Sequence, residues 1–293
     1  MPKREYSLAR LLGYDDEARL LIVNADDFGM CHAENVATID GLCSGAFSSS
    51  TLMVPCPWFD HAAAFVVANP QIDAGVHITH TSEWDTYRWS AVSPAAEVSS
   101  LMDASGKLVR DVATFYAQAR IDEVERETRA QIDKALAAGI DVTHLDSHMG
   151  TLQLDPAYHA LYVRIAAEYR LPIRMASRSM LARMGMAEVV DLADSRAVLA
   201  PDHFWIGGPA APEETAAYWT QVLRELQPGV TEIYLHAAID TPEMRAITDS
   251  WDQRRADYQW FLSDSAGALL DELGVLRIGY RPIRALQRSL RAC

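Results

Sequence analysis

Arg19-Leu20-Leu21-Ile22-Val23-Asn24-Ala25-Asp26-Asp27-Phe28-Gly29 is the stretch that decides the fold. Its run of four consecutive apolar residues lacks the polar alternation of a strand with one wet face, so both faces are covered, as in a parallel sheet overlaid by helices. Two carboxylates stand where the apolar run ends, and Gly29 lets the chain turn away. Working outward, short apolar runs also occur at 50–54, 74–78, 142–145, 173–176, 197–200, 232–235 and 276–278. Helical segments are expected between them at 32–43, 121–138, 156–169 and 212–226. The 121–138 segment spaces Ile121, Val124, Thr128, Ile132 and Leu136 three or four apart and ends at Gly139. Asp155-Pro156 pairs a cap residue with a first-turn proline. About eight strands alternating with helices predict an α/β fold, a single TIM-like barrel of seven to eight parallel strands filling residues 1–293.

One stretch breaks the rhythm. Residues 81–112 have weak periodicity and hold Trp84, Tyr87 and Trp89, which reads as an aromatic insertion near the active site. At the other end, 277–293 form a basic segment with Arg277, Arg281, Arg284, Arg288 and Arg291 and no acid, read as a solvated helix face or subunit contact. The whole chain has 40 Asp and Glu against 26 Lys and Arg, a net charge of −14, so nucleic acid is excluded as a partner. Cys31, Cys43, Cys56 and Cys293 form no metal or disulfide framework, which fits a reducing compartment. Lys3 and Arg4 are followed by Asp15, Asp16 and Glu17 without a signal-length apolar core. No stretch is long and apolar enough for a membrane, so a cytoplasmic protein is expected.

In α/β sheets and barrels the ligand lies at the carboxyl ends of the strands. Asp26 and Asp27 follow the first strand, and adjacent carboxylates are naturally resolved by a cation. Gly75-Val76-His77-Ile78-Thr79-His80 and Thr143-His144-Leu145-Asp146-Ser147-His148 carry histidines at two further strand ends, and Glu232-Ile233-Tyr234-Leu235-His236 carries another. Two histidines and an aspartate from separate strands suit Zn²⁺ or another divalent ion with open positions. Asp146 and His144 are candidates for the layer behind the ligands, and an unligated His236 suits proton donation or oxyanion stabilisation.

The run Leu21 to Gly29, the Gly75-x-His77 strand, the segment His144-Leu145-Asp146-Ser147-His148 and the strand-borne His236 together resemble the YdjC-like carbohydrate deacetylases. The resemblance runs in order from about residue 20 to 240. It implies a distorted (β/α) barrel, one divalent metal ion (Mg²⁺ or Zn²⁺), a homodimer, and removal of acetyl groups from N-acetylated sugars such as chito-oligosaccharides. Carried over by position, it implies that Asp27, His77 and His148 hold the metal, that Asp26 is the general base, and that His236 is catalytic or positions substrate. This chain departs from the pattern at Met149-Gly150-Thr151, where further histidines are usual, at Ala237-Ala238, where Pro-Gly is usual, and at His80, where an apolar residue is usual. These departures touch the sugar pocket rather than the metal set.

The expected activity is therefore hydrolysis of an N-acetyl amide by metal-activated water. Its competitors are a metal-dependent sugar isomerase or epimerase on the same barrel, and an inactive sugar-binding relative. His80, Trp84, Trp89, Asp202 and His203 are candidate substrate contacts, although 201–205 reads equally well as a capped turn. Trp251, Arg254, Arg255 and Tyr258 share a helical spacing. One of these arginines could orient a carboxylate, but a surface salt bridge is the plainer reading. His32, His61 and His159 lie in expected helices and are read as non-catalytic.

Overall fold

The computed structural model describes residues 7–290. Lys3, Arg4, Arg291 and Cys293 lie outside the described residues. Seven strands, β1 (Arg19–Phe28), β2 (Ser49–Leu52), β3 (Ala74–Ile78), β4 (Leu145–Ser147), β5 (His203–Trp205), β6 (Gly229–Leu235) and β7 (Leu276–Arg277), form one sheet. All their pairings are parallel, in the order β4-β3-β2-β1-β6-β5, and β7 lies beside the first half of β1. Every carboxyl end therefore points the same way.

Among the described residues the parallel strands form a half-barrel, part of the TIM-like barrel that the sequence predicts. The expected strands at 173–176 and 197–200 form no ladder: Ile173 makes one isolated bridge to Leu145 and donates its N–H to the Leu199 carbonyl at 2.9 Å. Pro172 and Pro201 border these segments, and a proline cannot donate to a ladder. The 201–205 segment, which the sequence leaves open between pocket lining and a capped turn, contributes β5.

β1 shows how the strand pattern becomes a site. Leu21, Val23 and Ala25 join the large outer core beneath the helices, whereas Leu20 and Ile22 join a smaller inner cluster with Leu8, Val230, Tyr280 and Ile283. Each such buried aliphatic side chain contributes about 1.5–3 kcal/mol. The alternation carries on: Gly75 and His77 on β3, Asp146 on β4, and Glu232 and Tyr234 on β6 occupy positions between outer-core residues Val76, Ile78, Leu145, Ile233 and Leu235. Polar groups thus fill the upper interior of the half-barrel, above an apolar floor.

The helices follow their sequence signals closely. His32–Ser44 ends at Gly45 in the left-handed conformation, Ile121–Ala137 buries Val124, Thr128 and Ile132, and Asp155 caps Pro156–Tyr169 by accepting from the N–H groups of Ala157 and Tyr158. The 81–112 excursion is bound to the second of these helices. Glu127 accepts from the N–H groups of Val92 and Ser93, and Glu123 from that of Ser100.

The described part of the basic segment is anchored to the fold through Arg281 and Arg284, while Arg277 and Arg288 are exposed. In the helix Arg281–Leu290, Arg281 reaches Asp73 and Asp141, and the buried Arg284 pairs with Asp141. Cys31 and Cys56 are buried free thiols and Cys43 is an exposed one. Among the described residues no helix is long and apolar enough to cross a membrane.

Candidate active site

A cavity of about 430 Å³ opens at the carboxyl ends of β1, β3, β4 and β6. Asp26 and Asp27 both line it, although neighbours in a regular strand point to opposite faces. The β1–β2 register shifts between Ala25 and Phe28, and Asp27 has φ 62, a left-handed conformation that aspartate tolerates better than most residues. This irregularity brings the second carboxylate round to join the first.

Asp27 Oδ1 lies 3.4 Å from His77 Nε2 and 3.4 Å from His148 Nδ1, and the two nitrogens are 3.3 Å apart. Asp27 Oδ1 is buried and has no hydrogen-bond partner. Each imidazole has its far nitrogen committed to a carboxylate: His77 Nδ1 to Asp146 Oδ1 at 2.6 Å, its cross-strand neighbour, and His148 Nε2 to Glu83 Oε2 at 3.0 Å. With those nitrogens protonated, both lone pairs face Asp27 Oδ1. Three buried acceptors converging on one point suit a cation. Edges of 3.3–3.4 Å also fit a tetrahedron with bonds of roughly 2.0–2.1 Å, the zinc range. A second cluster, Asp26, His77 and Asp146, fits less well because His77 Nδ1 is already spent on Asp146.

Arg174 organises the carboxylates behind this triangle. It bonds both oxygens of Asp26 at 2.7 Å, Asp146 at 2.9 Å and Glu232 at 2.9 Å, and Tyr280 donates to the other Glu232 oxygen at 2.5 Å. Burial raises the Asp26 pKa, but Arg174 outweighs it and holds the carboxyl at about 2. Burial dominates at Glu232, which rises to about 7. Arg254, on the helix Trp251–Phe261, donates to Asp27 Oδ2 at 3.0 Å and to the buried Glu34. It is therefore a buried positioning arginine, contrary to the surface salt bridge that its helical spacing suggests.

His236 stands in the cavity wall with Nε2 3.7 Å from Asp27 Oδ2, and burial pushes its pKa down to about 4, so it is neutral near pH 7. Trp84 lines the cavity as well. The other expected contacts do not. His80 is buried between Thr128 and Thr151 and stacked on Phe115. Trp89 is buried and donates to the Thr81 carbonyl, Asp202 accepts from the N–H groups of Leu8 and Val230, and His203 binds the Pro228 carbonyl. His144 sits two residues before Asp146 on the same face, stacked on Tyr280 at 3.7 Å with no bond to a ligand residue. His32 and His61 are exposed beside Trp58, and His159 is buried in its helix.

Sequence reasoning did not single out Arg174, Glu83 or Glu232. Arg174 follows Pro172-Ile173, so the strand-end logic applied to the histidines reaches it too. Glu232 is a charged residue at an inward position of an apolar strand, itself a signal. Glu83 lies in the aperiodic excursion and has none.

The YdjC-like protein family matches residues 20–272. The chain belongs to that family. Among YdjC-like relatives, the carbohydrate deacetylase of Thermus thermophilus is 36% identical over 248 residues, covering 82% of this chain and 85% of the relative. The chitooligosaccharide deacetylase of Yersinia enterocolitica is 35% identical over 163 residues, 54% of this chain and 59% of that one. A crystal structure of an Enterococcus faecalis V583 protein shares the fold, with a TM-score of 0.78 and 24% identity over 91% of this chain and 99% of that one.

Proposed function

We propose that this YdjC-like chain hydrolyses the acetamide of an N-acetylated sugar, a chito-oligosaccharide or related carbohydrate, in a metal-dependent reaction. The observation that carries this reading is the triangle of Asp27 Oδ1, His77 Nε2 and His148 Nδ1 beside the clamped carboxylate of Asp26. The names of the Thermus and Yersinia relatives support the sugar and the acetyl group.

Asp27, His77 and His148 would hold the divalent ion, which when bound supplies a Lewis acid that polarises the acetyl carbonyl and acidifies water. The ligand edges support zinc over magnesium. Asp26 accepts the proton of the attacking water. Its low pKa, set by Arg174, keeps it ionised and able to accept a proton across the neutral range. The same carboxyl returns the proton to the amine nitrogen as the C–N bond breaks, giving acetate and an amino sugar. Neutral His236 donates a hydrogen bond to the oxygen that gains charge as the carbonyl becomes tetrahedral. Arg174 and Arg254 hold the two aspartates in place without touching substrate.

The family resemblance supports a homodimer, and the free thiols support a cytoplasmic setting. The test is acetate release from N-acetylglucosamine and its β-1,4 oligomers by chelator-treated protein with and without Zn²⁺ or Mg²⁺. Metal-restored acetate is expected. Conversion of the sugar without acetate would point to an isomerase instead.

A further inference from the structure

The mouth of the active-site cavity is built for something less polar than a sugar. Nine large hydrophobic side chains are exposed among the described residues, and three of them, Met149, Leu154 and Ile206, line this one cavity at 43%, 51% and 50% exposure. Scattered exposed apolar residues need no explanation, but a cluster on the rim of a polar site does.

Met149 makes the point most sharply. Its backbone sits at φ 51 and ψ 15, in the left-handed region that favours glycine, so the fold accepts strain there to present a long apolar side chain. Gly150 follows at φ 69, and a Cβ there would meet Leu154 at 3.3 Å, so the bare glycine lets Leu154 lie close. Ile206 follows β5, just past Phe204, whose ring stacks on Tyr234 at 5.6 Å.

Charge narrows the choice of ligand. Both arginines of the cavity are committed, Arg174 to Asp26, Asp146 and Glu232, and Arg254 to Asp27 and Glu34. Among the described residues no lysine lines the cavity, so a phosphate on the sugar finds no free side-chain cation there.

Building on the deacetylase reading, we propose that the substrate is an uncharged N-acetylhexosaminide with an apolar aglycone, an alkyl or aryl group that lies on Met149, Leu154 and Ile206. The N-acetyl group reaches the aspartates and histidines while the aglycone leaves through the mouth. Burial of the aglycone then supplies discrimination that the sugar alone does not.

The test compares octyl and methyl N-acetyl-β-D-glucosaminide and N-acetylglucosamine 6-phosphate on the metal-loaded protein. kcat/KM for the octyl glycoside is expected to exceed that for the methyl glycoside by at least about tenfold, with the phosphate poorest. In the double variant Leu154→Ser/Ile206→Ser the octyl-to-methyl ratio falls to about two or less, and Ile206→Leu retains it. Equal use of both glycosides by the wild type, an unchanged ratio in the double variant, or preference for the phosphate overturns the inference. If no acetate appears from any compound, the deacetylase reading fails, and calorimetric binding of the two glycosides decides the subsite by itself. Tighter octyl binding, lost in the double variant, supports the subsite; equal binding rejects it.

Discussion

Arg174 grips Asp26 through two parallel hydrogen bonds, Nη1 to Oδ2 and Nη2 to Oδ1, both 2.7 Å long. This fork fixes the plane of the carboxylate proposed as base, a geometry that lysine cannot reproduce. Arg174→Lys is expected to lower kcat by about 10–10²-fold with bound metal unchanged. Arg174→Met leaves Asp26, Asp146 and Glu232 buried around no cation and should cost about 3–5 kcal/mol in urea unfolding.

Arg254 has the corresponding role at Asp27. By bonding Oδ2 it leaves Oδ1 free, the atom facing His77 and His148. Arg254→Met should weaken metal affinity by about 10–100-fold, read by competition with a chromophoric chelator. The same change strands the buried Glu34, so adding Glu34→Gln should recover thermal stability but not metal affinity.

Metal affinity should also depend on pH with a definite sign. Burial opposes the charged form of His148, but Glu83 and Asp27 outweigh it and raise the metal-free pKa to about 9. The raised value means that the proton is held below pH 9 and must leave when a metal takes Nδ1. Affinity should therefore rise by about tenfold per pH unit between pH 6 and 9 and then level off. His77 is raised as well, through Asp146, and steepens the slope if it too surrenders a proton. Glu83→Gln should move the plateau to lower pH, and isothermal titration across the range reads both effects.

Gly75 carries a packing prediction that is independent of the chemistry. An added Cβ would lie 2.6 Å from the His144 ring and 2.7 Å from its carbonyl oxygen, and the ring is pinned against Tyr280. Gly75→Ala should destabilise the fold by about 1–3 kcal/mol, seen as a lower urea midpoint.

The sequence makes β1, β3 and β6 legible because each is an apolar run covered on both faces, and it makes their polar carboxyl ends legible by contrast. Asp27, His77 and His148 converge as the family resemblance implies, although the backbone irregularity that turns Asp27 inward leaves no mark in composition. The half-barrel opening was not legible: 173–176 and 197–200 have strand composition but are bordered by prolines that interrupt pairing. The strand His203-Phe204-Trp205 is not legible locally because its pairing depends on β6, a later segment of the chain. Of the expected substrate contacts Trp84 lines the cavity, whereas His80, Trp89, Asp202 and His203 have their polar atoms satisfied by partners elsewhere in the fold that spacing does not reveal.

The most direct measurement of the central claim pairs metal content with acetate release in Asp26→Asn and His148→Ala. Asp26→Asn is expected to keep its bound metal and to lose acetate release by about 10²–10⁴-fold, whereas His148→Ala is expected to lose both. Full acetate release by Asp26→Asn, or undiminished metal and activity in His148→Ala, would contradict the account.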